Sequence, residues 1–176
     1  MRRILPLVLM FLLLAATVQA AEVKKQLPGD LTLAEARKVL ETALIKAEAQ
    51  GVPMNIAVVD AGGNLKAFVR QDGAFLGSID VATKKARTAR FFNMSTAQLG
   101  AASQPGKELY GIEVTNDGLA IFGGGELLVK DGVIVGAIGV SGGSVAEDTN
   151  GAKAGAAAFE SVKKNGSCLA ERRQAQ

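Results

Sequence analysis

The 176-residue sequence has no histidine and no tryptophan, and only one cysteine and one tyrosine. The missing histidine excludes the most. It rules out Ser-His-Asp triads, Cys-His dyads, H-E-x-x-H zinc sites and imidazole general bases together. Cys168 has no second cysteine to pair with, so no internal disulfide can form and stability must come from a hydrophobic core. Near the end of the chain it reads as an inert residue rather than a reactive thiol. Aromatic residues make up 5% of the chain, and no basic patch is interleaved with them, so nucleic acid is not an expected partner. Basic residues number 20 against 17 acidic; without Arg2 and Arg3, 18 stand against 17, close to neutral.

Those two arginines open a segment that looks unlike the rest. Arg2 and Arg3 precede an apolar run from Ile4 to Ala16, too short to span a bilayer comfortably, and Val18-Gln19-Ala20 follows with small residues at the two positions a signal peptidase reads. The pattern predicts a signal peptide over 1–20, cleaved before Ala21, and export to the periplasm or cell exterior with no membrane contact afterwards. Residues 21–30, with Pro28-Gly29, read as a mobile leader. Residues 31–164 make one domain of ordinary size, and 165–176 a polar tail.

Within the domain, Thr32 and Glu35 form a capping box for a helix to Gln50, stopped by Gly51 and Pro53. Asn55–Asp60 and Leu65–Arg70 read as strands joined by a turn at Ala61-Gly62-Gly63-Asn64. A second helix is expected from Ser78 to Phe92. On it Lys84, Lys85, Arg87 and Arg90 read as a solvated face. Ser95 and Gln98 cap a short helix to Ala102, and Lys107–Gly118 is a loop. Three strands are expected next, Leu119–Phe122, Glu126–Lys130 and Val133–Val140. The last two turn at Asp131-Gly132, a strong hairpin signal. Ser144 and Glu147 open the final helix. Its glycines Gly151 and Gly155 demand close packing, by the sheet or by a second subunit. The order α-β-β-α-α-β-β-β-α, with hairpins joining strands, predicts an α+β domain with an antiparallel sheet.

Three motifs fall short. Gly136–Gly143 reads GAIGVSGG rather than G-x-G-x-x-G, with no strand after the last helix to complete a βαβ unit. Gly124–Lys130 lacks the Gly-Lys-Ser/Thr of a P-loop. Asp60, Asp72, Glu126, Asp131 and Asp148 lack calcium-loop spacing. What remains resembles a known family. VVDAGGNLKAFVRQDGA (58–74), SIDVATKKARTA (78–89) and FGGGELLVKDGVIVGAIGVSGGS (122–144) look like the GlcG/HbpS family, which includes a haem-binding extracellular protein and the C-terminal domain of PduO-type proteins. The likeness runs from about Leu31 to Val162. It implies a profilin-like fold with a five-stranded antiparallel sheet covered by helices, assembly into homo-oligomers, and haem binding. Arg70 and Asp72 match the family's Arg-x-Asp-Gly, with Gln71 where Met is usual. Lys84 or Lys85 matches a Lys-Ala in the second block, and Gly142, Gly143 and Asp148 match the end of the third.

The residues and the resemblance together lead to a small-ligand-binding protein rather than an enzyme, with no catalytic residue to name. The expected ligand site gathers Arg70, Asp72, Lys84 and the turn Ser141-Gly142-Gly143-Ser144. Two cations would stand beside backbone amides at a helix N-terminus. A plain alternative for Arg70 and Asp72 is a mutual salt bridge, and for Asp148 it is stabilisation of the first helical turn. Haem is the ligand the family implies. With no histidine, Tyr110 and Met94 are the leftover axial ligands, each with an ordinary packing role as the alternative. A small anionic metabolite such as a carboxylate, bound without haem, is the other reading.

Overall fold

The computed structural model describes residues 29–174, with side chains as far as Phe159. The segment read as a signal peptide lies outside the described residues. Among those residues, four α-helices and four strands follow one another: α1 (Leu33–Gln50), β1 (Asn55–Asp60), β2 (Leu65–Arg70), α2 (Gly77–Phe92), α3 (Thr96–Ala102), β3 (Gly125–Lys130), β4 (Val133–Ser141) and α4 (Val145–Gln174). A 3-10 turn, Ile112–Val114, interrupts the long loop before β3. The helix α4 runs on through 165–174, the stretch read as a polar tail.

Local sequence explains the boundaries. Thr32 with Glu35, and Ser95 with Gln98, form the predicted capping boxes, each satisfying two orphan amides. Gly51 ends α1 in the left-handed conformation. Asp60 closes the first hairpin, its Oδ1 accepting from the N–H groups of Gly62 and Asn64 at 2.9 Å each. Asp131 and Gly132 both take positive φ, 53° and 76°, as a tight two-residue hairpin requires. Ser78 does not cap α2. The helix begins one residue earlier, and Leu76 before it is already helical, so no side-chain cap forms.

The sheet is antiparallel with order β2-β1-β4-β3. Strand alternation sends each face to a different partner. Ile56, Val58, Ile138 and Val140 join Val39 and Ala43 of α1 and Ala152 of α4 in one core. Ala57, Val59 and Ala137 face α2, meeting Ala82, Ala86 and Ala89. Small residues on both sides let α2 rest directly on the sheet: a Cβ at Gly139 would collide with the Ala82 carbonyl. A bulge between Val58 and Val59 breaks the expected alternation of β2 at its start, leaving Leu65 exposed while Ala67 and Val69 pack inward.

The expected fifth strand does not form among the described residues. Leu119–Phe122 is apolar, and Leu119 and Ala120 are buried, but the backbone bonds away from the sheet. The Leu119 N–H donates to the Glu113 carbonyl, and the Ala120 N–H donates to Thr88 Oγ1 on α2 at 3.1 Å. This run is a strap over α2 rather than a rung of the ladder.

The glycines of α4 also find their reason here. A Cβ at Gly155 would lie 2.6 Å from Ile138 Cδ1 and 3.0 Å from the Val39 carbonyl oxygen, and one at Gly151 would lie 3.2 Å from Val140 Cγ1. Between them they admit the sheet and α1 of their own chain. Gly155→Leu is expected to destabilise the fold by about 1–3 kcal/mol or more through overpacking. Urea unfolding checks this, and an unchanged midpoint would contradict it.

Candidate functional site

One side chain read as solvated is a fully buried cation. Lys85 falls three residues after Ala82 and one before Ala86, so it shares the stripe that α2 turns to the sheet. Its side chain is wholly buried. Nζ lies 2.6 Å from Asp148 Oδ2 and 3.0 Å from the Val140 carbonyl oxygen, and 4.7 Å from the centre of the Phe122 ring. Burial pushes the Lys85 ammonium below the ordinary lysine pKa, and the hydrogen bond and charge of Asp148 pull it back in part. Sequence spacing carries the signal, because 82, 85, 86 and 89 make one helical stripe. Two hydroxyls that hold the segment around the strap, Thr88 and Thr96, give no such signal. Thr96 Oγ1 accepts the Gly125 N–H at 2.9 Å.

Asp148 uses its other oxygen on the turn before α4. Oδ1 accepts the Gly143 N–H at 3.0 Å, and Glu147 Oε2 accepts the Ser144 N–H at 2.8 Å. The hydrogen bonds from Ser144 hold the Glu147 carboxyl below the usual carboxylate range. Two amides that the sequence pattern leaves open for a ligand are thus already bonded within the chain. Ser141 is buried, and Gly142, at φ 151°, lies so close to Pro53 that a Cβ would meet its carbonyl oxygen at 2.5 Å. The Ser141–Ser144 turn is packed on Val52–Met54.

Arg70 and Asp72 open onto a shallow cavity of about 470 Å³ between the end of α1 and the end of β2, with Leu44, Glu48, Pro53 and Val69 in its walls. No ion pair joins Arg70 to Asp72 among the described residues, so the plain alternative is not realised. Gln71, where the family usually has Met, ties β2 to the start of β1, because its Oε1 accepts the Met54 N–H at 2.9 Å. Val52 and Pro53 belong to this cavity and also pack against Gly143 and Gly142, so the turn stands behind its wall.

Lys84 is not there. It lies on α2, on the opposite face of the sheet from α1, and pairs with Asp80 at 2.9 Å in the one-turn spacing of a helix. It borders a second cavity, of about 280 Å³, beneath the Asn116–Leu119 loop. The structure therefore brings Arg70, Asp72 and the back of the Ser141–Ser144 turn together and leaves Lys84 out. Tyr110 is 65% exposed, and Met94 is half-buried. Haem takes its axial ligand from His, Cys, Met or Tyr. Neither Tyr110 nor Met94 lines either cavity, so this donor set does not fit a haem held inside one of them. No cluster of metal-ligating side chains exists among the described residues, and no helix among them is long and apolar enough to cross a membrane.

Known proteins share both the sequence blocks and this architecture. The family model described as haem degrading protein HbpS-like matches residues 31–157. An uncharacterised 15.0 kDa protein from the dhaT-dhaS intergenic region of Citrobacter freundii is 41% identical over 126 residues, covering 71% of this chain and 89% of that protein. The structure of a PduOC–haem complex superposes with a TM-score of 0.71 at 36% identity, covering 73% of this chain and 94% of the other. A double mutant of HbpS from Streptomyces reticuli gives 0.68 at 32% identity, covering 79% and 92%. The three sequence blocks, the α+β architecture and these matches agree, and the chain belongs to the HbpS-like family, related to the haem-binding PduO C-terminal domain.

Proposed function

We propose that this chain is a non-catalytic binding protein for a small anionic ligand, and that haem or a related tetrapyrrole is that ligand. One observation carries the reading: a relative 36% identical, matching over 73% of this chain, is known in complex with haem. Arg70, exposed at the rim of the cavity under α1, is the group that would receive a propionate, with Asp72 beside it in the cavity wall. Iron ligation by histidine plays no part. Haem would lie against the protein's surface and be held through its propionate, since neither Tyr110 nor Met94 borders the Arg70 cavity. The chain would act after export, as a homo-oligomer with a profilin-like subunit. The exposed side chains of Phe75 and Leu76 ahead of α2 favour self-association.

A second reading, a small carboxylate bound without haem, is favoured by the cavity itself. No axial donor lines it, and its walls set the Arg70 guanidinium and apolar Leu44 and Val69 beside the carboxylates of Glu48 and Asp72, so the carboxylate would rest on Arg70 alone.

Haemin titration separates the two. The first reading predicts a shifted haem absorption band on adding protein, and a loss of affinity of about 1.5–3 kcal/mol in Arg70→Ala, the scale of a hydrogen bond to a charged group. An unchanged spectrum, with a carboxylate recovered from purified protein by mass spectrometry, would replace haem by the second reading. Full affinity of Arg70→Ala for either ligand would move the site elsewhere. Export is checked separately. Secreted protein is expected to begin at Ala21, and terminal sequencing that finds Met1 would contradict it.

A further inference from the structure

The second cavity has features that ligand binding at Arg70 does not use. One wall is α2, which presents Arg87 and Phe91 one turn apart. The facing wall is the loop Asn116–Leu119. Arg87 lies over the Phe91 ring, 5.3 Å from its centre, and makes no ion pair with a carboxylate among the described residues. Asp117 makes none with a cation among them. The remaining charges at the rim, Lys84 and Asp80, neutralise each other at 2.9 Å. The cavity thus offers one open positive and one open negative charge, with apolar Phe91 and Leu119 beside them.

The backbone of the loop is held in an uncommon form. Asn116, Asp117 and Gly118 are left-handed in succession, with φ of 51°, 59° and 93°. Side chains strain that conformation, and such strain gathers at ligand clamps. The loop is fixed from both ends, the Gly118 N–H donating to the Thr115 carbonyl and the Leu119 N–H to that of Glu113. Gly118 also leaves room for the neighbouring lysine: a Cβ would come within 3.3 Å of Lys84 Nζ. Asp117 is therefore presented at the cavity on a bonded turn rather than a loose tip.

A simple anion would meet a site whose lining charges cancel. A zwitterion would pair both open charges at once, its carboxylate on Arg87 and its ammonium on Asp117. The volume, about 280 Å³, falls just under the span of drug-sized pockets and restricts the guest to a small molecule. We propose that this cleft is a second ligand site, distinct from the Arg70 cavity, for a small α-amino acid with an apolar side chain, which packs between Phe91 and Leu119.

Three probes with one carbon skeleton test it: L-leucine, 4-methylpentanoate, which lacks the amine, and 3-methylbutylamine, which lacks the carboxylate. Each is titrated into the isotope-labelled protein, and the amide resonances of residues 116–119 are followed. Leucine is expected to shift these resonances saturably. Each truncated probe should bind at least about tenfold more weakly, the loss of one charged contact. Arg87→Gln and Asp117→Asn should each weaken leucine by a similar factor while leaving the melting temperature and the Arg70 site unaltered. Absence of a saturable shift at 116–119 with leucine overturns the proposal. So does 4-methylpentanoate binding as tightly as leucine, which would make the cleft a plain carboxylate site.

Discussion

The buried ion pair between Lys85 and Asp148 is the contact on which the rest of this structure depends. Removing two charges from water costs several kcal/mol per ion, and only good geometry with further hydrogen bonds offsets it. That geometry is present: Lys85 reaches Asp148 and the Val140 carbonyl, and Asp148 accepts the Gly143 amide. The pair joins four stretches that are distant in sequence or direction, namely the middle of α2, the end of β4, the turn after it and the first turn of α4. It also dictates Gly124, the middle residue of the run Gly123-Gly124-Gly125. A Cβ at Gly124 would come within 2.8 Å of Lys85 Nζ and 2.7 Å of the Val140 carbonyl, and the φ of 114° there suits glycine alone. The Val140 N–H in turn donates to the Gly124 carbonyl at 2.8 Å. The glycine-rich ends of the third sequence block are thus two sides of one clamp around an ammonium.

The clamp changes what the Ser141–Ser144 turn can do. Glycines before a helix suggest amides open to a ligand, yet these amides are bonded to Asp148 and Glu147. The turn supports the wall of the Arg70 cavity from behind instead of lining it with donors. In the proposed reading, ligand chemistry falls to side chains at the rim. This agrees with a family in which haem is bound by a relative, and with a chain that has no histidine to offer it.

Most of the fold is legible in the sequence because its signals are local. Capping boxes, the Asp131-Gly132 hairpin and the glycine stop after α1 act within a few residues, and each stands where the pattern places it. Leu119–Phe122 reads as a strand, wrongly, because an apolar run shows only that it is buried. Its hydrogen-bond partners, Thr88 and Glu113, cannot be read from it. Lys85 is masked by its neighbours, since four cations on one helix look like a wet face. Arg70 and Asp72 do share a cavity, being two residues apart at a strand end. Lys84 cannot be placed without knowing which face of the sheet α2 covers. Close approach of α4 to Ile138 explains Gly155, whose spacing alone fits either the sheet or a second subunit.

The dependence on the ion pair is tested most directly by a double-mutant cycle of Lys85→Met and Asp148→Leu, read by urea unfolding. Each single change leaves a buried charge alone and should cost about 3–5 kcal/mol. The double variant, with two apolar side chains in contact, should lose no more than either single one, giving a coupling of several kcal/mol. Losses that simply add, to within about 0.5 kcal/mol, would show that the two residues act independently and would contradict the account.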